Sequence, residues 1–444
     1  MYVTVRERLP HAADTPDARG AATPRRRRWL GWPFVGRNVL CLGLTSLFTD
    51  ISSEMVGTIL PLYLVFYLGL TPLQFGVVDG LYQGFAALVR VAGGFAADRW
   101  RRHKEVAALG YSLSAVCKLG LLAAGNLWLA LAAVVLADRT GKGIRTAPRD
   151  ALISLSSPAR GLATAFGVHR ALDTAGAMLG PLVAFALLSR LPNAFDAVFV
   201  ASFCFAVIGL GVLVLFVENR PVAMDAKVAT PVSIRAAAGL LGAPGFRALA
   251  LAGAALGLAT VSDGFLYLGL QRRLAFNAGY FPLLYVGTSL VYFVLAVPAG
   301  RLADRLGRGR VFLAGYALLL PVYAILLLPS AGYVELLGAL ALFGAYYAAT
   351  DGVLMALGSA VLAPELRTTG LGLLTTGTSL ARLLASVVFG AAWTQWGMEA
   401  AVLLFGGGLL VAIGLAAVTL GRAGQAGRAE GGGVNGALHE VFHE

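Results

Sequence analysis

The sequence predicts an all-α membrane protein of twelve transmembrane helices, arranged as two six-helix bundles related by an internal repeat. Three observations carry that prediction. The 444-residue chain is 58% hydrophobic and only 13% charged, with a mean hydropathy of +0.76. So few charges cannot clothe a soluble globule of this size, which makes lipid the natural solvent. Apolar runs recur along the whole length. One of them is written twice, about half a chain apart.

Taken in order, the runs cover 39–66, 75–97, 106–124, 127–149, 161–188, 196–217, 246–269, 280–300, 310–328, 333–361, 369–392 and 399–421. A membrane-crossing helix needs about 20 mostly apolar residues, and these runs supply them. Residues 1–38 form a polar, Pro- and Arg-rich tail without the apolar core of a cleavable signal peptide. The first bundle is then 39–217, the linker 218–245, the second bundle 246–421, and a second tail 422–444. Cys41, Cys117 and Cys204 fall in apolar runs without paired spacing. They read as small packing residues, not disulfides or a metal site.

The repeat is explicit. FGVVDGLYQGFAALVRVAGGFAADR (75–99) aligns without a gap to FPLLYVGTSLVYFVLAVPAGRLADR (281–305). Phe75 matches Phe281, Gly94 matches Gly300, and Asp98-Arg99 matches Asp304-Arg305. Self-similarity at that spacing is the mark of six helices followed by six.

The net charge of +12 sits on one set of loops: the N-terminal tail, DRWRRHK at 98–104, the linker, RLADRLGRGR at 301–310, and Arg422 and Arg428. The opposite loops hold Arg190, Arg272 and Arg273. This asymmetry predicts an inner-membrane protein with both termini in the cytoplasm, and it excludes nucleic acid as the partner.

Ionisable residues inside the apolar runs concentrate in the first half: Asp50, Glu54, Asp79, Arg90, Asp138, Arg139, Lys142, His169, Arg170 and Asp173. The second half has chiefly Asp263, Asp351 and Arg382. Each such charge costs at least about 2.5–3.5 kcal/mol in a bilayer interior, so they pair or line a wet path. Asp138 and Lys142 have the i,i+4 spacing of a salt bridge, as do Asp50 and Glu54 the spacing of one helix face. Arg139 lies about 18 Å along its helix, near mid-membrane. His169, Arg170 and Asp173 share one side of the fifth segment. A proton-exchanging carboxylate must be desolvated yet near a base that displaces its proton. Asp50, Glu54 and Asp173 meet that requirement, and spacing does not choose among them. His169 either titrates near neutrality or partners Asp173. Arg145 and Arg149 are expected to snorkel to headgroups, and Pro148 to end or kink the fourth helix at Ala147. Gly141-Lys142 lacks the upstream glycine and following Ser/Thr of a phosphate-binding loop.

GGFAADRWRRHK and AGRLADRLGRGR resemble the two copies of the loop motif G-x-x-x-D-R-x-G-R-R of the major facilitator superfamily. The second copy is complete through Gly307-Arg308; the first has Arg101 where the family has Gly. A short loop with one acid and several bases suits a conformational gate, here Gly94, Asp98, Arg99 and Arg102 in one copy and Gly300, Asp304, Arg305, Gly307 and Arg308 in the other. The fifth segment, AFGVHRALDTAGAMLGPLVA, is similar to the motif of drug:proton antiporters through Gly167, Gly176, Gly180 and Pro181. Ala184-Phe185 stands where that pattern ends in two glycines. By spacing alone, Gly176 and Gly180 share a face suited to close packing, and Pro181 can bend the helix; the resemblance implies an export hinge. Arg139-Thr140-Gly141-Lys142-Gly143 resembles the family's R-x-x-Q-G, with Lys142 for Gln, and the resemblance ties Arg139 to proton transfer.

Together these imply a non-enzymatic, cofactor-free transporter in the lipid bilayer, working as a monomer and coupling protons to export of a small molecule such as a drug or toxic metabolite. Import is an alternative direction. A weaker resemblance to nickel-resistance permeases makes a divalent metal the alternative substrate, resting on His439 and His443. The terminal HEVFHE also matches the zinc-protease pattern H-E-x-x-H, but no enzyme domain surrounds it.

Overall fold

The computed structural model describes residues 36–100, 102–125, 127–157, 162–219, 239–329, 332–362 and 367–429. The histidines His439 and His443, most of the N-terminal tail and most of the linker lie outside the described residues. The described chain is helical, with thirteen α-helices: α1 Arg37–Leu62, α2 Pro72–Trp100, α3 His103–Ala124, α4 Trp128–Leu155, α5 Leu162–Arg190, α6 Phe195–Phe216, α7 Pro244–Leu258, α8 Asp263–Leu274, α9 Phe281–Leu306, α10 Arg308–Ala317, α11 Leu319–Leu327, α12 Tyr333–Val361 and α13 Arg367–Ala429.

Among the described residues, nine helical stretches are long and apolar enough to cross a membrane. One of them, Gly370–Gly421, turns at Gly397, whose φ of 88° only glycine adopts readily, and so counts as two spans. The charge-bearing α2 and α4, of 29 and 28 residues, complete the twelve. Span 7 is α7 plus α8, and span 9 is α10 plus α11.

Span 7 differs from the unbroken helix expected over 246–269. It opens at Thr260–Ser262 and restarts with Ser262 as cap, its hydroxyl accepting from the Phe265 N–H. Tyr323 satisfies the freed backbone: its hydroxyl accepts from Val261 N at 2.8 Å and donates to Ala259 O at 3.2 Å. The fourth helix also departs from expectation. It runs through Pro148 to Leu155 without ending at Ala147. Packing overrides the local penalty. The α4 glycines let neighbours close in: a Cβ on Gly141 would lie 2.6 Å from Gly110 O, and one on Gly143 2.6 Å from Val89 Cβ.

In the first bundle α1 packs on α5 and α6, α3 on α4 and α6, and α2 on α4. In the second, α7 packs on α13, and α9, α10 and α11 on α12. The bundles meet through α2 with α13 and α5 with α9. Helix alternation puts α1 and the last helical limb at one membrane face, called here the terminus side; the other face is the far side.

The bundles are joined on the far side. Leu73 N donates to Thr394 Oγ1 at 2.9 Å, and the Phe75 ring meets Phe265 edge-on at 4.7 Å. Phe185, the bulky departure in the fifth segment, stacks on Tyr280 at 5.8 Å. A Cβ on Gly76 or Gly80 would strike the backbone of α13, at Ser386 O and Leu383 O. Toward the terminus side the facing surfaces are exposed and charged: Arg90, Arg170 and Asp351 all reach solvent. Charges at this depth are stable in water rather than lipid, so the facing surfaces of the bundles are suited to line a cavity open to the terminus side.

Candidate functional site

Three clusters of polar side chains at membrane depth concern the site, and neighbouring helices build each of them. The first is a buried trio. Asp138 of α4 has its two carboxylate oxygens taken by Lys118 Nζ of α3 at 3.0 Å and Arg139 Nη2 at 2.5 Å. Arg139 Nε adds a bond at 2.9 Å, and its guanidinium carbon lies over the Tyr82 ring, 3.8 Å from the centroid. All three charged residues are buried. The expected Asp138–Lys142 bridge does not form, because Lys118 from the adjacent helix takes the oxygen it would need. Lys142 instead feels the charges of Asp50 and Glu54 on α1. Lys118 is the partner sequence reasoning missed; its signal was a single lysine inside the apolar run 106–124.

The second group lies between α1, α4 and α5. The carboxyls of Asp50 on α1 and Asp173 on α5 face each other as close neighbours. Two facing acids can share one proton, because a protonated carboxyl can donate to a carboxylate while two carboxylates cannot bond to each other. Arg149 Nη1 and Arg170 Nη1 each stand 3.8 Å from Asp173, and Arg149 also pairs with Asp150 at 3.0 Å. Arg149 Nη1 donates to Ser46 Oγ at 3.3 Å, and Ser46 Oγ is bonded to His169 Nε2 at 2.8 Å. The hydrogen-bond partner of His169 is thus Ser46, not Asp173. Arg145 and Arg149 are not headgroup anchors either. Arg145 is 3% exposed and lies over the Tyr111 ring at 4.6 Å. Their helix continues past Pro148, which carries them along the bundle interior.

The glycines of the fifth segment set this group's geometry. A Cβ on Gly176 would lie 2.5 Å from Leu47 O and 3.1 Å from Asp50 Cβ; one on Gly180 would lie 2.7 Å from Glu54 Cβ. Both acids of α1 therefore depend on α5 having no side chain there. Pro181 is buried within the same helix, whereas Gly167 is exposed and has no atom in the way of a Cβ.

The third group is in the second bundle, where sequence reasoning placed little. A cavity of about 200 Å³ is walled by Tyr267, Tyr285, Tyr292 and Tyr347, with Asp263 and Asp351. At about 30 Å³ per water in the liquid, that is room for several waters or a small ligand. Tyr347 Oη donates to Asp263 at 2.5 Å, and Tyr267 Oη to Thr288 Oγ1 at 2.7 Å. Asp263 stands in the first turn of α8, where the helix dipole favours a negative charge. Arg382 donates to Tyr346 Oη at 3.3 Å behind this wall. The legible signal was a set of tyrosines in runs whose other members are aliphatic.

Of the loop residues, Asp304 pairs with Arg308 Nη2 at 2.9 Å across Gly307, whose φ is 94°. Gly300 and Arg305 are on α9, with Arg305 exposed; Arg102 is exposed just before α3. Gly94, Asp98 and Arg99 belong to the terminus-side end of α2, and their side chains lie outside what is described, as does Arg101.

The model of the Major Facilitator Superfamily matches residues 42–284 and again 248–434. An uncharacterized MFS-type transporter of Methanocaldococcus jannaschii is 34% identical over 369 residues, covering 81% of this chain and 89% of its own. A Mycobacterium tuberculosis protein is 36% identical over 176 residues, 40% of this chain and 41% of its own. Among solved structures, the nucleoside transporter NupG superposes with a TM-score of 0.71 at 16% identity, covering 86% of this chain and 98% of its own. A bacterial homologue of the human lysosomal transporter Spinster, inward-facing and occupied, gives 0.65 at 16% identity over 86% and 96%. At these identities the two structures attest the fold.

Proposed function

The chain belongs to the major facilitator superfamily and is a membrane transporter of that type, and from that premise we propose that it exports a small molecule in exchange for protons, by alternating access between its bundles. The observation that carries this reading is the facing pair of acids Asp50 and Asp173, suited to share one proton, with two guanidinium groups 3.8 Å from Asp173. With the basic loops in the cytoplasm, the terminus-side cavity faces the cell interior. Loss of the shared proton to that cavity leaves two carboxylates together; Arg149 and Arg170 are placed to take up the added charge. Lys142 and Arg139 set the field felt by Asp50 and Glu54 from α4.

Substrate enters the same cavity and lodges against the tyrosine wall. Two acids and several π-faces suit a small molecule carrying an amine or an aromatic ring. Rocking of the bundles exposes both groups to the far side, where substrate leaves and a proton reloads the pair. The packing of Gly176 and Gly180 against α1 supports a role for α5 in transmitting that motion, with Pro181 as its bend. The Asp304–Arg308 link and the matching loop motif at the end of α2 serve as the gate on the cytoplasmic side.

Proteoliposomes test the coupling. An imposed pH gradient should drive substrate movement in the wild type, and Asp50→Asn or Asp173→Asn should abolish that drive while leaving substrate exchange at equal pH. Transport indifferent to the gradient sinks the proposal. Substrates for the assay come from a growth screen of overexpressing and deleted strains across antimicrobials and metals, nickel included.

A further inference from the structure

Asp79 takes no part in the machinery above, yet it occupies the seam between the bundles. It lies on α2, about 10 Å from the far end by helix rise, and is 7% exposed. Ser386 Oγ of α13 donates to its Oδ2 at 2.6 Å. Ser262, at the break in span 7, and Gln83 are its other polar neighbours. Its titratable neighbours across the seam are Asp263 of α8 and Tyr285 of α9, while α13 presents the Ser386 hydroxyl and, one turn earlier, Arg382, whose guanidinium is held by Tyr346 and acts on Asp263. The donors on Asp79 are thus neutral, and the charged group facing it is another acid. A Cβ on Gly264 would lie 3.3 Å from Asp79 Oδ1 and 2.8 Å from the Phe75 ring, so the acid is clasped against the opposite bundle beside an aromatic contact.

We propose that Asp79 is a second proton-binding group, a latch that takes up a proton when the bundles close on the far side and returns it to the same side when they open. A desolvated carboxylate with neutral donors and an acid for a neighbour is costly. Protonated, the same group fits the closed seam. Opening withdraws Ser386 and Ser262, since both belong to the other bundle, and water replaces them around a carboxylate. Proton binding and closure are therefore linked, each favouring the other. Because the proton enters and leaves on one side, Asp79 contributes no net proton transport. It lets acid on the far side favour return to the terminus-open state. This rests on the alternating-access part of the preceding reading and is independent of the Asp50–Asp173 pair.

The test uses the full chain in lipid nanodiscs, with Cys41, Cys117 and Cys204 replaced and spin labels at Leu191→Cys and Asn277→Cys, on far-side ends of the two bundles. Distances between labels report the ratio of far-side-open to far-side-closed molecules as pH varies. For one linked proton, that ratio rises by up to about tenfold per pH unit within the titrating range. Asp79→Asn should flatten the response with the closed form retained, and Asp50→Asn should leave it intact. Ser386→Ala keeps the acid and removes its donor, so it should displace the midpoint and keep the slope. A wild type with no pH response, an Asp79→Asn variant that responds like wild type, or a Ser386→Ala variant with an unmoved midpoint each overturns the latch.

Discussion

Replacing Asp138 by Asn should destabilise the protein far more than replacing Lys118 by Met, although the two residues are partners in one ion pair. The reason is charge arithmetic in a dry site. Lys118, Asp138 and Arg139 together carry two positive charges and one negative, with contacts of 3.0 and 2.5 Å and side chains at most 9% exposed. Asp138→Asn removes the only anion of the trio and leaves two buried cations facing each other, with Arg145 also buried on the same helix. Breaking a buried pair in this sense costs about 3–5 kcal/mol. Lys118→Met instead leaves a neutral Asp138–Arg139 pair and removes a cation that was expensive to bury. It forfeits one charged hydrogen bond, worth about 1.5–3 kcal/mol, and recovers part of that as desolvation and packing. The expected losses are thus about 3–5 against less than about 2 kcal/mol. In thermal unfolding of purified protein in detergent, this corresponds to falls in Tm on the order of 5–10 °C and under about 4 °C. The double variant should be more stable than Asp138→Asn alone, because it removes one of the stranded cations. Equal falls for the two single variants, or a double variant worse than both, would refute the reasoning.

Three further outcomes follow from contacts already described. Gly180→Leu should separate α1 from α5, since even its Cβ meets Glu54 Cβ at 2.7 Å; overpacking of about 1–3 kcal/mol and loss of transport are expected, checked by Tm and liposome flux. Phe75→Ala removes the cross-bundle ring contact with Phe265 at 4.7 Å; a loss of about 1–3 kcal/mol from the closed seam should raise far-side thiol labelling about tenfold or more. Tyr347→Phe deletes the hydroxyl that bonds Asp263 at 2.5 Å; substrate KM should shift about tenfold while Tm stays close to wild type.

The sequence by itself determined the architecture. Hydropathy reports solvent, and a bilayer admits helices of one length, so twelve runs became twelve spans, several of them running a turn or more past the expected end. The repeat placed α2 and α9 in equivalent positions because it needed only matching of the chain with itself. Small-residue spacing also sufficed for Gly176 and Gly180, since helix periodicity puts i and i+4 on one face. Partnership was another matter. Spacing along α4 proposed Lys142 for Asp138, and spacing along α5 proposed Asp173 for His169. The structure supplied Lys118 from α3 and Ser46 from α1, because a side chain buried between helices pairs with whatever the next helix presents at its depth. The same holds for Asp50 with Asp173, and for Asp79 with Ser386 more than three hundred residues away. Local periodicity tells which residues face inward; only the packing of helices distant in sequence decides what they meet there.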